Sequence, residues 1–305
     1  MPITRTTLLG GPAAATFNGQ TFFATDGILV TPALEIAAVD SDAQGVVDGT
    51  VSGEPLTIRF TPSAPVGDLL ALFPWTMGAP GMSLFGSADQ ALVLVAANGV
   101  RLTFGAVAIV GMPELTLSSR GPVAGAVTFL ALGARSLPVT AANRLVTVDT
   151  GTFPGLPTGT PQLTDDFAVT WGGAPWVKLR ARDGVRVRFG LKTRPVVSDA
   201  NALLDLTVEE LEVEVRLVPA SAGGPGESDV FAALGLEGGL PGRSLAATAS
   251  TLRVAGESLA VELPLAQMRR GELGFDAVRG RVGELVFTAE RALLSSGAEA
   301  LATVG

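Results

Sequence analysis

The sequence predicts an all-β protein with short flanking helices, arranged as two tandem domains of the β-sandwich or barrel-forming kind. Three observations carry that expectation. First, the chain repeats itself: Ser41-Asp42-Ala43-Gln44-Gly45-Val46-Val47-Asp48-Gly49-Thr50-Val51 matches Ser198-Asp199-Ala200-Asn201-Ala202-Leu203-Leu204-Asp205-Leu206-Thr207-Val208 at an offset of 157 residues, without a gap. The match resumes at Ile58-Arg59-Phe60-Thr61-Pro62 against Val215-Arg216-Leu217-Val218-Pro219. It returns, at offset 158, where Gly125-Ala126-Val127-Thr128-Phe129-Leu130-Ala131 meets Gly283-Glu284-Leu285-Val286-Phe287-Thr288-Ala289. A repeat this long is a whole domain, since solenoid units run to about 20–50 residues. Second, 305 residues are enough for two independent cores. Third, the chain is 47% hydrophobic but only 6% aromatic and 16% charged, with 38 Gly and 20 Pro, so short apolar segments alternate with turn residues.

The expected divisions are a first domain over 1–134, a linker over 135–165 and a second domain over 166–305. In the first, Thr16–Phe23 and Gly27–Ala38 read as strands, and Ala43–Gly53 as a polar, Gly-bearing loop between strands. Leu56–Thr61 alternates with period two and Pro62 ends it. Val66–Phe73 is the best short helix, stopping before Pro74. Ala91–Ala96 and Val100–Ala108 flank Asn98-Gly99, a two-residue hairpin signal. Glu114–Ser119 and Ala124–Leu132 are further strands, and Gly155-Leu156-Pro157-Thr158-Gly159-Thr160-Pro161 is linker-like.

The second domain follows the same order. Phe167–Trp171 and Trp176–Arg182 read as strands, with Asp183-Gly184 a hairpin turn into Val185–Leu191. Ala200–Glu210 is the twin of the polar loop, and Val208–Val218 is a long alternating strand. Glu227–Gly235 reads as a short helix, with Ser228 or Asp229 as N-cap and Gly235 as stop. Ser250–Val254, Leu259–Leu263, Gly271–Phe275 and Gly283–Glu290 complete the strands, and the tail from Arg291 reads as helical or disordered.

Composition narrows the chemistry. Cys, His and Tyr are all absent, which removes disulfides, thiol nucleophiles, His-based triads and the usual zinc sites. Catalysis would have to rest on carboxylates, hydroxyls, Lys or Arg, and paired carboxylates of the glycosidase type are the remaining enzymatic option. The net charge of −8 argues against broad phosphate binding. No run reaches the roughly 18 apolar residues of a membrane span, and the N-terminus reads as a poor secretory signal. The expectation is a cytoplasmically made, soluble, non-enzymatic protein with no cofactor and no metal.

Several motifs define a resemblance. Gly11-Pro12-Ala13 and Phe17-Asn18-Gly19 open the first copy, whose central strand ends in Phe60-Thr61-Pro62. Phe73-Pro74-Trp75, Ser83-Leu84-Phe85-Gly86, Met112-Pro113-Glu114-Leu115-Thr116-Leu117-Ser118 and Gly125–Gly133 complete it. Over residues 10–134 the chain resembles the tail tube (major tail) proteins of long-tailed bacteriophages. The second copy keeps the frame without the Pro-Trp and Leu-Phe-Gly segments, and joins the resemblance through the repeat.

The resemblance implies a β-sandwich with a flanking short helix, six-fold rings, and stacking of rings into a hollow tube that conducts double-stranded DNA without specific binding. A chain with two such domains would close the ring with three subunits, as a pseudo-hexamer, in the virion tail. Its partners would be further copies of itself and other tail proteins, including the tape measure. Alternatives are a tail-completion or baseplate-hub ring on the same fold and, in another class, a carbohydrate-binding or hydrolysing β-sandwich using carboxylates with Trp75, Trp171 or Trp176.

Candidate functional residues follow. In the family the long loop between early strands reaches the neighbouring ring, so Gln44, Gly45, Asp48, Asn201 and Asp205 are inter-ring candidates. Glu210, Glu212 and Glu214 alternate onto one face of a strand. They read either as negative lumen charge that repels DNA or as a solvated face with salt bridges. Lys178, Arg180, Arg182, Arg186 and Arg188 alternate too and are expected to pair with glutamates across strands or subunits. Asp40, Asp42 and Gly45 imitate part of a calcium loop but lack its closing Glu, so a polar turn is the expectation. Phe73, Pro74, Trp75 and Phe85 are expected to pin the helix to the sandwich.

Overall fold

The computed structural model describes residues 12–17, 19–32, 35–41, 45–53, 55–63, 76–77, 91–118, 123–134, 140–155, 167–172, 177–198, 201–219, 250–256, 260–270, 273–275, 280–290, 292–293 and 299–304. Every regular element among them is a strand. The two expected helices, Val66–Phe73 and Glu227–Gly235, lie outside the described residues, as do Phe73, Pro74, Trp75, Phe85, Trp176, Asp42 and Gln44.

The first half supplies β1 (Ala13–Phe17), β2 (Gln20–Pro32), β3 (Glu35–Ser41), β4 (Gly45–Gly53), β5 (Pro55–Ser63), β6 (Thr76–Met77), β7 (Leu92–Ala96), β8 (Val100–Phe104), β9 (Val107–Gly111), β10 (Leu115–Leu117), β11 (Val123–Ala124), β12 (Val127–Leu132) and β13 (Val146–Thr150). The second supplies β14 (Ala168–Trp171), β15 (Val177–Ser198), β16 (Asn201–Pro219), β17 (Ser250–Ala255), β18 (Ala260–Arg270), β19 (Leu273–Phe275), β20 (Gly280–Val282), β21 (Leu285–Ala289), β22 (Ala292–Leu293), β23 (Glu299–Ala300) and β24 (Thr303–Val304).

One pairing circuit is built twice. In the first half, β8-β7-β1-β2-β5-β12-β9 are neighbours in that order, and β9 continues the chain from β8 after Gly105-Ala106, so the path returns on itself. In the second half the corresponding order is β18-β17-β14-β15-β16-β21, and one unbroken strand, β18, does the work of β8 and β9. The registers repeat with the strands. Ile28 faces Phe60 as Val185 faces Leu217; Val127 faces Phe60 as Leu285 faces Leu217; Phe129 faces Ile109 as Phe287 faces Met268. Closure of this kind leaves few free edges, as expected of a barrel-forming sheet.

The alternation in each strand puts apolar side chains inside. Leu56, Ile58 and Phe60 are buried on β5, as are Leu211, Val213, Val215 and Leu217 on β16. Phe129 is fully buried with its ring edge-on to Phe17 at 5.1 Å and stacked on Phe60 at 5.9 Å. Its counterpart Phe287 is equally buried and meets Trp171 at 5.3 Å. Most buried apolar side chains of both halves belong to one continuous cluster, and Ala106, Ala108, Leu132 and Leu206 form a second, smaller one.

Five expectations change. Thr16–Phe23 is a hairpin and not one strand: β1 and β2 pair from Ala14↔Phe23 to Phe17↔Gln20, with Gly19 at φ +76° in the turn. Asp183-Gly184 is a bulge within β15, not a hairpin turn, because Ala181 faces Pro219 and Val185 faces Leu217 along the same partner. Thr25-Asp26-Gly27 makes the same bulge in β2, between Ala24↔Pro62 and Ile28↔Phe60. Ala43–Gly53 and Ala200–Glu210 are largely paired strand, not loop: β3 with β4, and the ends of β15 with β16. The segment expected as linker, 135–165, contains β13, which pairs with β8 as β24 pairs with β18. Among the described residues beyond Arg291, where helix or disorder was expected, stand three short strands and the buried pair Leu301 and Ala302.

Candidate assembly surfaces

The halves meet along a strand seam. β10 belongs to the first half by sequence, yet it pairs with β15 of the second: Leu115↔Val187, Thr116↔Arg186, Leu117↔Val185. β14 occupies the same edge of β15 from Val177 to Arg180, so the bulge at Asp183-Gly184 divides one edge between two partners. All four apolar residues of the seam are buried to 1% exposure or less. Gly184 makes the approach possible. Its φ is +90°, which L side chains rarely adopt, and a Cβ there would lie 2.5 Å from Ser118 Cβ and 2.7 Å from the Leu117 carbonyl oxygen.

Charge closes over the seam. Arg216 forms an ion pair with Glu214 on its own strand and lies 3.9 Å from Glu284. Its hydrogen bond to Glu214, with the fields of Glu214, Glu284 and the first half's Glu114, holds the guanidinium above its ordinary range against partial burial. Arg101 grips Asp149 through two hydrogen bonds of 2.6 and 2.5 Å, which ties β13 to β8 at the position where those residues face each other.

The described inter-ring candidates sit on two ribbons whose registers match at Asp48 and Asp205 and differ by one residue at the tips. Gly45 faces Ser41 and Asp48 faces Val39 on the first; Asn201 faces Ser198 and Asp205 faces Val196 on the second. Gly and Asp are poor strand formers, which is why these stretches read as loop. Pairing with the adjoining strand holds them, and Asp205 Oδ1 accepts a 2.7 Å hydrogen bond from the Leu206 amide. Leu206, beside Asp205, is 4% exposed and packs with Ala106, Ala108 and Leu132 of the first half, so the second ribbon already lies against the neighbouring circuit. Sequence reasoning missed Leu206. Its signal was an apolar residue in the second copy where the first has Gly49.

Glu210 and Glu212 are exposed and Glu214 half-buried on the outer face of β16, opposite Lys192, Gly190 and Arg188. A bulge between Lys192 and Thr193 brings Glu209 out beside them, where it lies 3.5 Å from Lys192 Nζ. The face is therefore mixed in sign, with Arg186, Arg188 and Lys192 exposed alongside the glutamates.

Trp171 is packed against Phe287 and donates its indole N–H to the Ala266 carbonyl at 3.4 Å. Among the described residues no three His, Cys, Asp or Glu side chains converge as a metal site, and no helix is long and apolar enough to cross a membrane. Asp40 and Gly45 stand on paired strands, Asp40 opposite Val46 and Gly45 opposite Ser41. No model of a known family matches the chain, and no curated protein matches it in sequence.

Proposed function

We propose that the chain is a structural subunit of a phage tail tube, with its two halves acting as two tandem tube domains, so that three chains close a pseudo-hexameric ring. The observation that carries the reading is the seam: one pairing circuit, built twice, lends a strand from the first copy to the edge of the second. A contact between unlike surfaces of like units is heterologous, and it must close into a ring or run on as a helix. The two ribbons would reach the next ring, with Gly45, Asp48, Asn201 and Asp205 at the contact. Glu210, Glu212 and Glu214 would line the lumen, where with the cations beside them they would offer passing DNA no net basic surface to adhere to. The protein would act in the virion tail alongside the tape measure and other tail proteins, without catalysis.

Negative-stain microscopy of the purified protein tests this. Long hollow tubes are expected, and deletion of residues 45–49 should leave a folded protein that makes no tubes. Discrete rings that never stack would instead assign the chain to a tail-completion or hub ring, and monomers at every concentration would overturn both readings.

A further inference from the structure

The seam within the chain has an unfilled twin. Moved back by the repeat, the acceptor residues Val185, Arg186 and Val187 become Ile28, Leu29 and Val30 of β2. Moved forward, the donor β10 becomes β19, and the β10–β11 hairpin becomes β19–β20: Leu115 faces Ala124 as Leu273 faces Val282. Among the described residues neither side of the twin has the partner that its counterpart has. Among the described residues β19 pairs only with β20, and the β2 edge opposite β5 at Ile28–Val30 pairs with no strand.

The acceptor edge carries the marks of a missing strand. Leu29 is 62% exposed, and Ile28 and Val30 are only partly buried where Val185 and Val187 are at 0%. Gly27 holds φ +85°, the same bulge conformation as Gly184, yet no described atom lies within 4 Å of a Cβ built on it. The glycine that the internal seam demands is thus kept where no described residue fills the slot. The charges are kept as well: Glu114 precedes β10 and acts on Arg216, while Glu272 precedes β19 and Arg59 stands exposed at the position equivalent to Arg216. An exposed, apolar, unpaired edge invites strand addition.

We propose that the β19–β20 hairpin of one chain adds to the β2 edge of a second copy of this chain, in the register Leu273↔Val30, Gly274↔Leu29, Phe275↔Ile28. The proposal rests on the reading of the chain as a self-assembling subunit. It gives that subunit a defined head and tail, so that the junction between chains repeats the junction inside each chain.

The chain has no cysteine, so cross-linking has no background. Leu29→Cys/Gly274→Cys in one chain should, on oxidation, give a covalent ladder that stops at the subunit number of the ring, and a mixture of the two single variants should give only a dimer. Val148→Cys/Gly274→Cys, with the first cysteine on an exposed residue of β13, should give no ladder. If Gly274→Cys impairs folding, Val30→Cys/Leu273→Cys tests the same register. Independently, Arg59→Glu and Glu272→Arg should each raise the concentration needed for assembly several-fold, and the double exchange should lower it again. Assembled protein that cross-links no better than the control, or monomers throughout, overturns this interface. Tubes without the cross-link leave the tube reading standing and remove this one. Cross-linked rings that never stack do the reverse.

Discussion

Replacing Gly184 by Ala, with Gly27→Ala as its matched partner, measures how tightly the halves are joined. Both glycines hold positive φ in the same bulge of equivalent strands, at +90° and +85°. A Cβ in that conformation costs about 1–2 kcal/mol. The gain from restricting the unfolded chain, roughly 0.4–1 kcal/mol, is common to both and cancels in the comparison. Only at position 184 does the new methyl also strike something: Ser118 Cβ at 2.5 Å and the Leu117 carbonyl oxygen at 2.7 Å. The Ser118 Cβ is fixed by its backbone, and Leu117 is held in the ladder to Val185, so the strain adds about 1–3 kcal/mol by analogy with overpacked cores. Gly184→Ala should therefore destabilise by about 1–3 kcal/mol more than Gly27→Ala. Urea unfolding of dilute protein, followed by far-UV circular dichroism, gives both values without a contribution from assembly. Equal losses at the two positions would refute the close approach of β10 to β15.

Other consequences can be measured in the same way. Phe129→Ala removes a fully buried ring that touches Phe17 and Phe60, and should cost about 3–5 kcal/mol in denaturant unfolding. Leu206→Ala should cost about 2 kcal/mol or more and raise proteolytic cleavage near residues 198–206, since Leu206 seats the second ribbon on Ala106, Ala108 and Leu132. Asp149 has a pH signature. Its hydrogen bond to Arg101 lowers its pKa from 3.8, so its contribution is present above that value and is lost as pH falls through the lower folded value. The difference in Tm between the wild type and Asp149→Asn should be constant at neutral pH and shrink only in strong acid.

Much of the architecture was legible because the repeat and the period-two alternation are properties of the chain itself. The Asn98-Gly99 turn was readable too, since Gly99 at φ +83° joins β7 to β8 as a local hairpin. Asp183-Gly184 was misread because a bulge and a hairpin turn ask the same thing of a glycine. What separates them is whether the next residues keep the same partner, and Val185 does, facing Leu217. The ribbons were hidden for a related reason: Gly45, Asp48 and Asp205 are weak strand formers, and only a long-range partner makes them strand. Val208–Val218 was expected to alternate without a break, but the buried pattern of β16 skips from Val208 to Leu211 at the bulge that exposes Glu209. The seam itself had no local signal. Leu115-Thr116-Leu117 reads as a strand, but nothing in those three residues says that its partner lies in the other half.

The borrowed strand also sets a schedule for synthesis. When the first half leaves the ribosome it carries both β10 and the β2 edge, a donor and an acceptor, while β15 does not yet exist. At about 5–20 residues per second, the 32 residues from Phe167 to Ser198, the end of β15, take roughly 2–6 s to follow. For that interval neighbouring nascent chains on one message can exchange strands with each other before either can satisfy its own. Slow translation through the second half should therefore lower the yield of correctly joined chains, and a host that spaces its ribosomes widely should raise it.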